Sequence, residues 1–120
     1  MRIPALHESL SDVQAWLAQD TVLVVRAAER LVGAVRGSRE GDVWRVGRLM
    51  VAPDLRGRGL GRWLLGRIEE SAPDGVTSYA LVTGAGSTRN QRLYKKAGYR
   101  SRGGAEPGVV AMSKPRRPIS

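Results

Sequence analysis

Arg56-Gly57-Arg58-Gly59-Leu60-Gly61 decides how this chain is interpreted, because the stretch joins a predicted strand to a predicted helix. Val43–Val51 is rich in β-branched and apolar residues, and the breaker Ala52-Pro53-Asp54 follows it. After the glycines, apolar residues recur at helical spacing at Leu60, Trp63, Leu64, Leu65 and Ile68. A glycine-rich loop at a helix N-terminus exposes unpaired backbone N–H groups beside the positive end of the helix dipole. The stretch therefore predicts an anion site suited to phosphate.

The spacing of the glycines excludes two better-known phosphate loops. The dinucleotide fingerprint G-x-G-x-x-G fails, because its third position falls on Arg62 or on Leu64. The P-loop fails because no Gly-Lys-Ser/Thr follows. What remains is Arg56-x-x-Gly59-x-Gly61 directly after a strand. This pattern resembles the acyl-CoA-binding motif, R/Q-x-x-G-x-G/A, of the GNAT superfamily of N-acetyltransferases.

A second motif, Asn90–Tyr99 (NQRLYKKAGY), strengthens the resemblance. Ser87 or Thr88 can cap a short helix there, and Gly98 can end it. GNAT proteins commonly carry N-x-x-A-x-x-L-Y-x-x-x-G-F in this place, and the residues in register are Leu93, Tyr94, Gly98 and Tyr99. Two positions differ from the family, since Ser87 replaces Asn and Asn90 replaces Ala. Both residues are candidates for contact with the cofactor.

The resemblance implies acetyl-CoA as cosubstrate and assigns the site residues by position. The backbone of Leu49, Met50 and Val51 is expected to pair with the pantetheine arm. The diphosphate is expected against the loop formed by Arg56, Gly57, Arg58, Gly59, Leu60, Gly61 and Arg62. Tyr94 matches the family's proton donor to the CoA sulfur, a task that suits a phenol protonated at neutral pH. The alternative interpretation of Tyr94 is an amphipathic core residue.

The sequence does not identify a general base. Neither Trp44–Val51 nor Tyr79–Val82 contains an acid. The carboxylates of Glu40, Asp42 and Glu106 are expected in solvated loops. A water chain or an already neutral amine could replace the base.

Two strand residues have competing interpretations. Trp44 is expected in the core, although its place before the cofactor strand also makes it a candidate substrate wall. Arg48 is expected either as a solvated strand residue or as a group that faces the substrate cleft and attracts an acidic group.

Composition limits the remaining classes of function. A chain of 120 residues is one domain. The chain has no Cys and one histidine, His7, so no metal is expected. Since it lacks a membrane-span pattern and a signal-peptide h-region, no membrane partner and a cytoplasmic location are expected. The net charge of +9 suits a phosphorylated cofactor, an acidic partner or nucleic acid, but no nucleic-acid-binding motif accompanies it.

The order of predicted elements is α/β, with a mixed, mostly antiparallel central sheet and flanking helices. Residues 1–113 are assigned to the domain and residues 114–120 to a basic tail. The predicted elements are a helix Ser9–Ala18, a hairpin Thr21–Arg36 with a polar turn Gly37–Asp42, a strand Val43–Val51, a helix Gly59–Ser71, a strand Thr77–Thr83, a helix Thr88–Ala97, an extended segment Tyr99–Arg102 and a strand Val109–Ser113.

The start of the chain differs from the family pattern, which usually places a strand and one more helix before the region seen here. Without a first strand, the hairpin Thr21–Arg36 is expected to have a free edge. A homodimer that buries Trp16 or the strand near Val22 and Val24 would cover it.

The sequence as a whole predicts an N-acetyltransferase that uses acetyl-CoA and a small-molecule or protein amine as acceptor. Two alternatives stay open. One is a non-catalytic relative that binds CoA, and the other, less favoured, is a basic nucleic-acid-binding module.

Overall fold

The computed structural model describes residues 10–17, 20–103 and 106–117, with only the backbone described for residues 10–17 and 20. These residues form a seven-stranded sheet in the order β1-β2-β3-β4-β5-β7-β6. Neighbouring strands are antiparallel except for the parallel pair β4 and β5. The elements are β1 (Leu10–Leu17), β2 (Asp20–Ala27), β3 (Arg30–Glu40), β4 (Val43–Val51), α1 (Leu60–Glu70), β5 (Ser78–Gly84), α2 (Thr88–Lys96), β6 (Arg100–Ser101) and β7 (Val109–Pro115). The predicted fold class is confirmed.

The helix predicted at Ser9–Ala18 is wrong. Leu10–Leu17 forms β1, whose backbone pairs with β2 from Leu10↔Ala27 to Leu17↔Thr21. Val13, Ala15 and Leu17 also alternate with period two, so the local pattern fits a strand as well as a helix. The unpaired backbone groups at the edge of β2 then favour the strand. The hairpin edge that was expected to be free is therefore covered by β1, and His7 lies outside the described residues.

Most other predicted elements occur close to their expected places, with two boundary differences. The turn predicted over Gly37–Asp42 is wrong in extent, because β3 continues to Glu40 and only Gly41 and Asp42 form the turn. β7 continues to Pro115, two residues into the segment assigned to the tail. The Lys114 ammonium donates hydrogen bonds to Glu69 Oε1 at 3.0 Å and to the Ala97 carbonyl at 2.8 Å.

α1 packs on one face of the sheet through its buried apolar side chains Leu60, Leu64, Leu65 and Ile68. The Trp44 indole N–H donates to the Ile68 carbonyl at 2.9 Å, which ties β4 to α1. β3 approaches the helix closely at Gly33, where an added Cβ would lie 2.8 Å from Leu64 Cδ1. This packing fixes the start of α1 next to the end of β4.

Two irregularities of β4 open a cleft in the sheet. β4 pairs with β5 only from Val43↔Ser78 to Arg45↔Ala80, although both strands continue further. On its other side, the register with β3 shifts between Arg36↔Gly47 and Ala34↔Met50, so β4 carries one extra residue in a bulge. Beyond Arg45, β4 therefore has a strand partner on one side only within the described part of the chain. This leaves its last residues available to a bound ligand.

Candidate active site

A cleft of about 840 Å³ lies between the end of β4, the loop before α1, and α2. Three segments that are distant in sequence meet here. The lining residues are Leu49, Met50, Val51, Leu55, Arg56, Gly57, Gly59, Gly61, Arg62, Ser87, Thr88, Arg89, Asn90, Arg92, Leu93 and Lys96. The cleft thus brings together ten of the twelve residues predicted to bind the cofactor. Their role in binding stays a prediction.

The loop Gly57–Arg62 presents a run of free backbone donors. Gly57 and Gly59 have φ angles of +80° and +88°, a left-handed conformation that favours glycine, and Gly59 is the N-cap of α1. The first N–H of this region with a backbone acceptor is that of Trp63, which donates to the Gly59 carbonyl at 2.9 Å. In the described part of the chain, the six consecutive N–H groups from Gly57 to Arg62 have no protein acceptor. Together with the helix dipole, these donors suit an anion.

Asp54, a carboxylate close to this loop in the sequence, is already paired. Asp54, in the single turn Pro53–Leu55, forms an ion pair with Arg30 at the start of β3. The hydrogen bond from the Arg30 guanidinium lowers the pKa of the Asp54 carboxyl to about 2, so this acid is ionised and neutralised by its partner. The loop arginines therefore keep their positive charge available for a ligand.

Cationic side chains surround the cleft. Arg56 and Arg62 come from the loop and the first turn of α1, while Arg89, Arg92 and Lys96 come from α2. None of these five has an ion-pair partner in the described part of the chain, and no Asp or Glu lines the cleft. A phosphorylated ligand therefore fits the charge of this site.

The three α2 cations were missed by the sequence analysis. Arg89, Arg92 and Lys96 follow one another at i, i+3 and i+7, which places them on one face of the helix. This spacing is the sequence signal that could have indicated a cationic face on the helix. It could not show by itself that this face is turned toward the cleft.

Ser87 and Asn90 lie where the second motif suggested, at the start of α2 and in the wall of the cleft. Ser87 is the N-cap of α2, but its side chain makes no capping hydrogen bond. The Gln91 amide instead holds the loop after β5, with hydrogen bonds to the Gly84 carbonyl at 3.1 Å and the Ala85 carbonyl at 2.9 Å. The Ser87 hydroxyl therefore has no hydrogen-bond partner among the described residues and is available to a ligand.

Two of the predicted binding residues do not line the cleft. The Arg58 side chain is exposed to solvent and forms no ion pair in the described part of the chain. The Leu60 side chain is fully buried in the core. Both can contribute only backbone N–H groups to the loop in this conformation.

Tyr94 also lies outside the wall of the cleft, next to the lining residue Leu93. Its side chain is 6% exposed, and its ring meets that of Tyr99 edge to face at a centroid distance of 6.0 Å. Burial raises the pKa of the Tyr94 phenol, so the hydroxyl stays protonated at neutral pH. Within the described residues, the Tyr94 hydroxyl has no hydrogen-bond partner. Its oxygen is nevertheless not completely buried. The Tyr94 hydroxyl is therefore protonated and available to donate a hydrogen bond.

The candidate bases and Trp44 lie away from the cleft. Glu40 forms an ion pair with Arg45, and Asp42 and Glu106 are exposed. Trp44 is 2% exposed in the core, so its interpretation as a substrate wall is wrong. Among the described residues, no group of three or more His, Cys, Asp or Glu side chains is placed to hold a metal, and no helix has the length and apolarity to cross a membrane.

Comparison with known proteins gives a consistent result. The family described as acetyltransferase (GNAT) domain matches residues 18–101. An "IAA acetyltransferase" of Azospirillum brasilense is 36% identical over 121 residues, covering 93% of this chain and 79% of that protein.

Solved structures agree with the family match. A Klebsiella pneumoniae protein assigned as an acyl-CoA N-acyltransferase superposes with a TM-score of 0.74 at 26% identity, covering 81% of this chain and 72% of that one. The PaiA N-acetyltransferase of Thermoplasma acidophilum, solved in complex with coenzyme A, has a TM-score of 0.71 at 17% identity, covering 82% and 62%. At that identity the second likeness concerns the fold alone.

Proposed function

Since the chain belongs to the GNAT acetyltransferase family and is an acetyl-CoA-dependent acyltransferase, we propose that it transfers acetyl to the amine of a small molecule or a protein. The cosubstrate would lie in the cleft between β4, α1 and α2. The observation that carries this assignment is the run of six N–H groups from Gly57 to Arg62, which lie among cations and have neither a protein acceptor nor an unpaired acid beside them within the described residues. A diphosphate has the charge and the acceptor oxygens to satisfy these donors.

The pantetheine arm would follow β4. Leu49, Met50 and Val51 line the cleft on the side where β5 has separated, so the backbone groups on that side have no strand partner. An amide-containing chain can pair with such an edge in the way that an added strand does. One of these N–H groups would also be placed to polarise the thioester carbonyl.

The reaction forms a bond between the acceptor nitrogen and the acetyl carbonyl carbon and breaks the bond between that carbon and sulfur. The amine loses one proton, and the departing thiolate takes up one. We assign the second proton to the Tyr94 hydroxyl, whose raised pKa keeps it protonated before the transfer, and the phenolate then regains a proton from solvent. The first proton would pass to solvent, because no carboxylate lines the cleft among the described residues.

A second candidate, CoA binding without turnover, is favoured by one observation. Among the described residues, neither a carboxylate nor Tyr94 lines the cleft in this conformation. The two functions are separated by measuring acetyl-CoA binding by calorimetry and thiol release across a panel of amines. Binding together with acceptor-dependent thiol release supports acetyl transfer, whereas binding with no release from any amine supports the second candidate. Salt-sensitive binding of DNA or RNA that acetyl-CoA does not displace would support the nucleic-acid alternative.

We also propose that the protein forms a homodimer. The edge of β2 is covered by β1, so it cannot pair with a second copy. The outer edge of β1, however, has no strand partner in the described part of the chain. An eight-residue edge strand offers backbone donors and acceptors to a second copy. Light scattering at micromolar concentration should give twice the mass of 13.0 kDa. A monomeric mass over the same range contradicts the proposal.

A further inference from the structure

Arg48 has a backbone conformation that is costly for an arginine. Among the described residues, only Ala28 and Arg48 combine a side chain with a positive φ, each at +55°. Ala28 lies in the tight turn between β2 and β3, where such angles are common. Arg48 instead lies in the bulge of β4, beside Gly47. Glycine would adopt this angle without strain. The backbone conformation thus favours glycine here, yet the residue is an arginine.

The bulge places Arg48 between two functional parts of β4. The last β4 residue paired with β5 is Arg45, and the first that lines the cofactor cleft is Leu49. Arg48 itself does not line that cleft. If Leu49–Val51 hold the pantetheine arm as proposed, an acceptor that reaches the thioester through the gap between β4 and β5 must pass close to Arg48.

The charge of Arg48 is unbalanced. β4 and β5, both fully described, contain two charged residues, Arg45 and Arg48, and no acid. Arg45 is paired with Glu40, whereas Arg48 is exposed and has no partner in the described part of the chain. A cationic group on the acceptor would be repelled at this position, and an anionic one would be attracted. A guanidinium can also bind a carboxylate or a phosphate through two parallel hydrogen bonds.

We propose that Arg48 is a positioning residue for the acceptor, and that the acceptor is an amine that also carries an anionic group, a carboxylate or a phosphate. This inference rests on the acetyl transfer proposed above. It excludes polyamines and lysine-rich segments as preferred acceptors. The side chain of Arg48 holds the anionic end of the acceptor, while its amine reaches the acetyl group bound beside Leu49.

The test compares acceptors that differ only in the anionic group. Phenylalanine is paired with 2-phenylethylamine, and O-phosphoethanolamine with ethanolamine. Arg48→Gly should lower kcat/KM for the preferred anionic acceptor at least about tenfold, the loss typical of one charge-assisted interaction. The kcat/KM for the paired amine that lacks the anionic group should change less than about twofold. The ratio of kcat/KM between the two acceptors of a pair is compared in parent and variant. Because the same amines are used for both proteins, differences in amine basicity cancel in this comparison. Arg48→Lys, which keeps the charge, should restore part of the preference.

Controls separate positioning from an effect on folding. Arg48→Gly relieves the positive φ, so its Tm should be unchanged or higher, and its acetyl-CoA Kd should be unchanged. Ala28→Gly relieves the same angle at a site away from the cleft and should leave the acceptor ratio as it is in the parent. The pair with the larger loss identifies carboxylate or phosphate as the recognised group.

Two results overturn the inference. The role of Arg48 is removed, while acetyl transfer stands, if the ratio of kcat/KM between the paired acceptors is the same in Arg48→Gly and the parent. It is also removed if the parent prefers the amines that lack an anionic group. Acetyl-CoA binding without acetylation of any amine contradicts both this inference and the proposed function.

Discussion

Gly61 offers a decisive test of the cofactor cleft, because changes there should weaken binding without weakening the fold. Gly61 has no positive φ, and a Cβ built on it would lie 3.5 Å from both Leu93 Cδ2 and Val51 Cγ2. This is ordinary van der Waals contact, and alanine in place of glycine favours a helix by up to about 1 kcal/mol. The added carbon would lie between two residues that line the cleft. Gly61→Ala should therefore fold at least as stably as the parent, with a side chain in the space of the ligand.

The expected loss of affinity follows from the N–H groups that the side chain separates from the phosphate. A hydrogen bond to a charged group contributes about 1.5–3 kcal/mol, so loss of one bond in Gly61→Ala should raise the acetyl-CoA Kd about tenfold or more. Gly61→Leu, which would block at least two donors and cost about 4 kcal/mol, should raise it about a thousandfold. The assay is calorimetric titration with acetyl-CoA, with Tm measured for each variant.

Gly66 supplies the matched control for this test. It lies in the same helix, and a Cβ built on it meets nothing within 4 Å. Gly66→Ala should therefore gain the same helix preference and leave the Kd unchanged. If Gly61→Ala and Gly61→Leu fold normally and bind acetyl-CoA as tightly as the parent, the diphosphate does not lie against this loop, and the reasoning fails.

Two further predictions concern α2. Tyr94→Phe keeps the buried ring but removes the proton, so the acetyl-CoA Kd should hold while kcat falls tenfold or more; joint loss of binding and turnover would indicate packing instead. Because burial raises the pKa of Tyr94 above its ordinary value of 10.0, kcat of the parent should show no decline below pH 10 from ionisation of this group. Lys96→Ala should weaken acetyl-CoA binding about threefold to tenfold at low salt but leave 3′-dephospho-CoA unaffected, if α2 contacts the 3′-phosphate. Lys95→Ala, on the same helix but outside the cleft, should change neither, and equal effects of the two lysines would contradict this role.

The strand, loop and helix around Gly59 could be predicted from the sequence because their signals are local. Val43–Val51 has the bounds that its composition indicated, and the glycines mark the loop where φ is positive. The helix that follows has a one-sided apolar pattern of five residues, and four of these, all except Trp63, are buried in the core. Each of these signals lies within a few residues of the element it describes, so no long-range information was needed.

The parts that the sequence did not predict depend on contacts between distant segments. Leu10–Leu17 fits a helix or a strand equally well, and the choice depends on the backbone edge of β2. The bulge at Arg48 exists only in the register between β3 and β4, which no local pattern encodes. Likewise, the α2 cations line the cleft because tertiary packing places Leu93 beside Gly61 and Val51.

β4 connects these observations, because three stretches along its length have different surroundings. Val43–Arg45 pairs with β5, Arg48 and Leu49 form the bulge opposite β3, and Leu49–Val51 borders the cleft between β4, α1 and α2. A regular strand would keep β5 as a partner to its end and would leave no backbone edge for a ligand. The separation from β5 provides that edge, and the bulge presents a charged side chain at its start. Binding of the cosubstrate would therefore depend on the backbone edge of Leu49–Val51. Selection of the acceptor would depend on the side chain of the adjacent residue, Arg48.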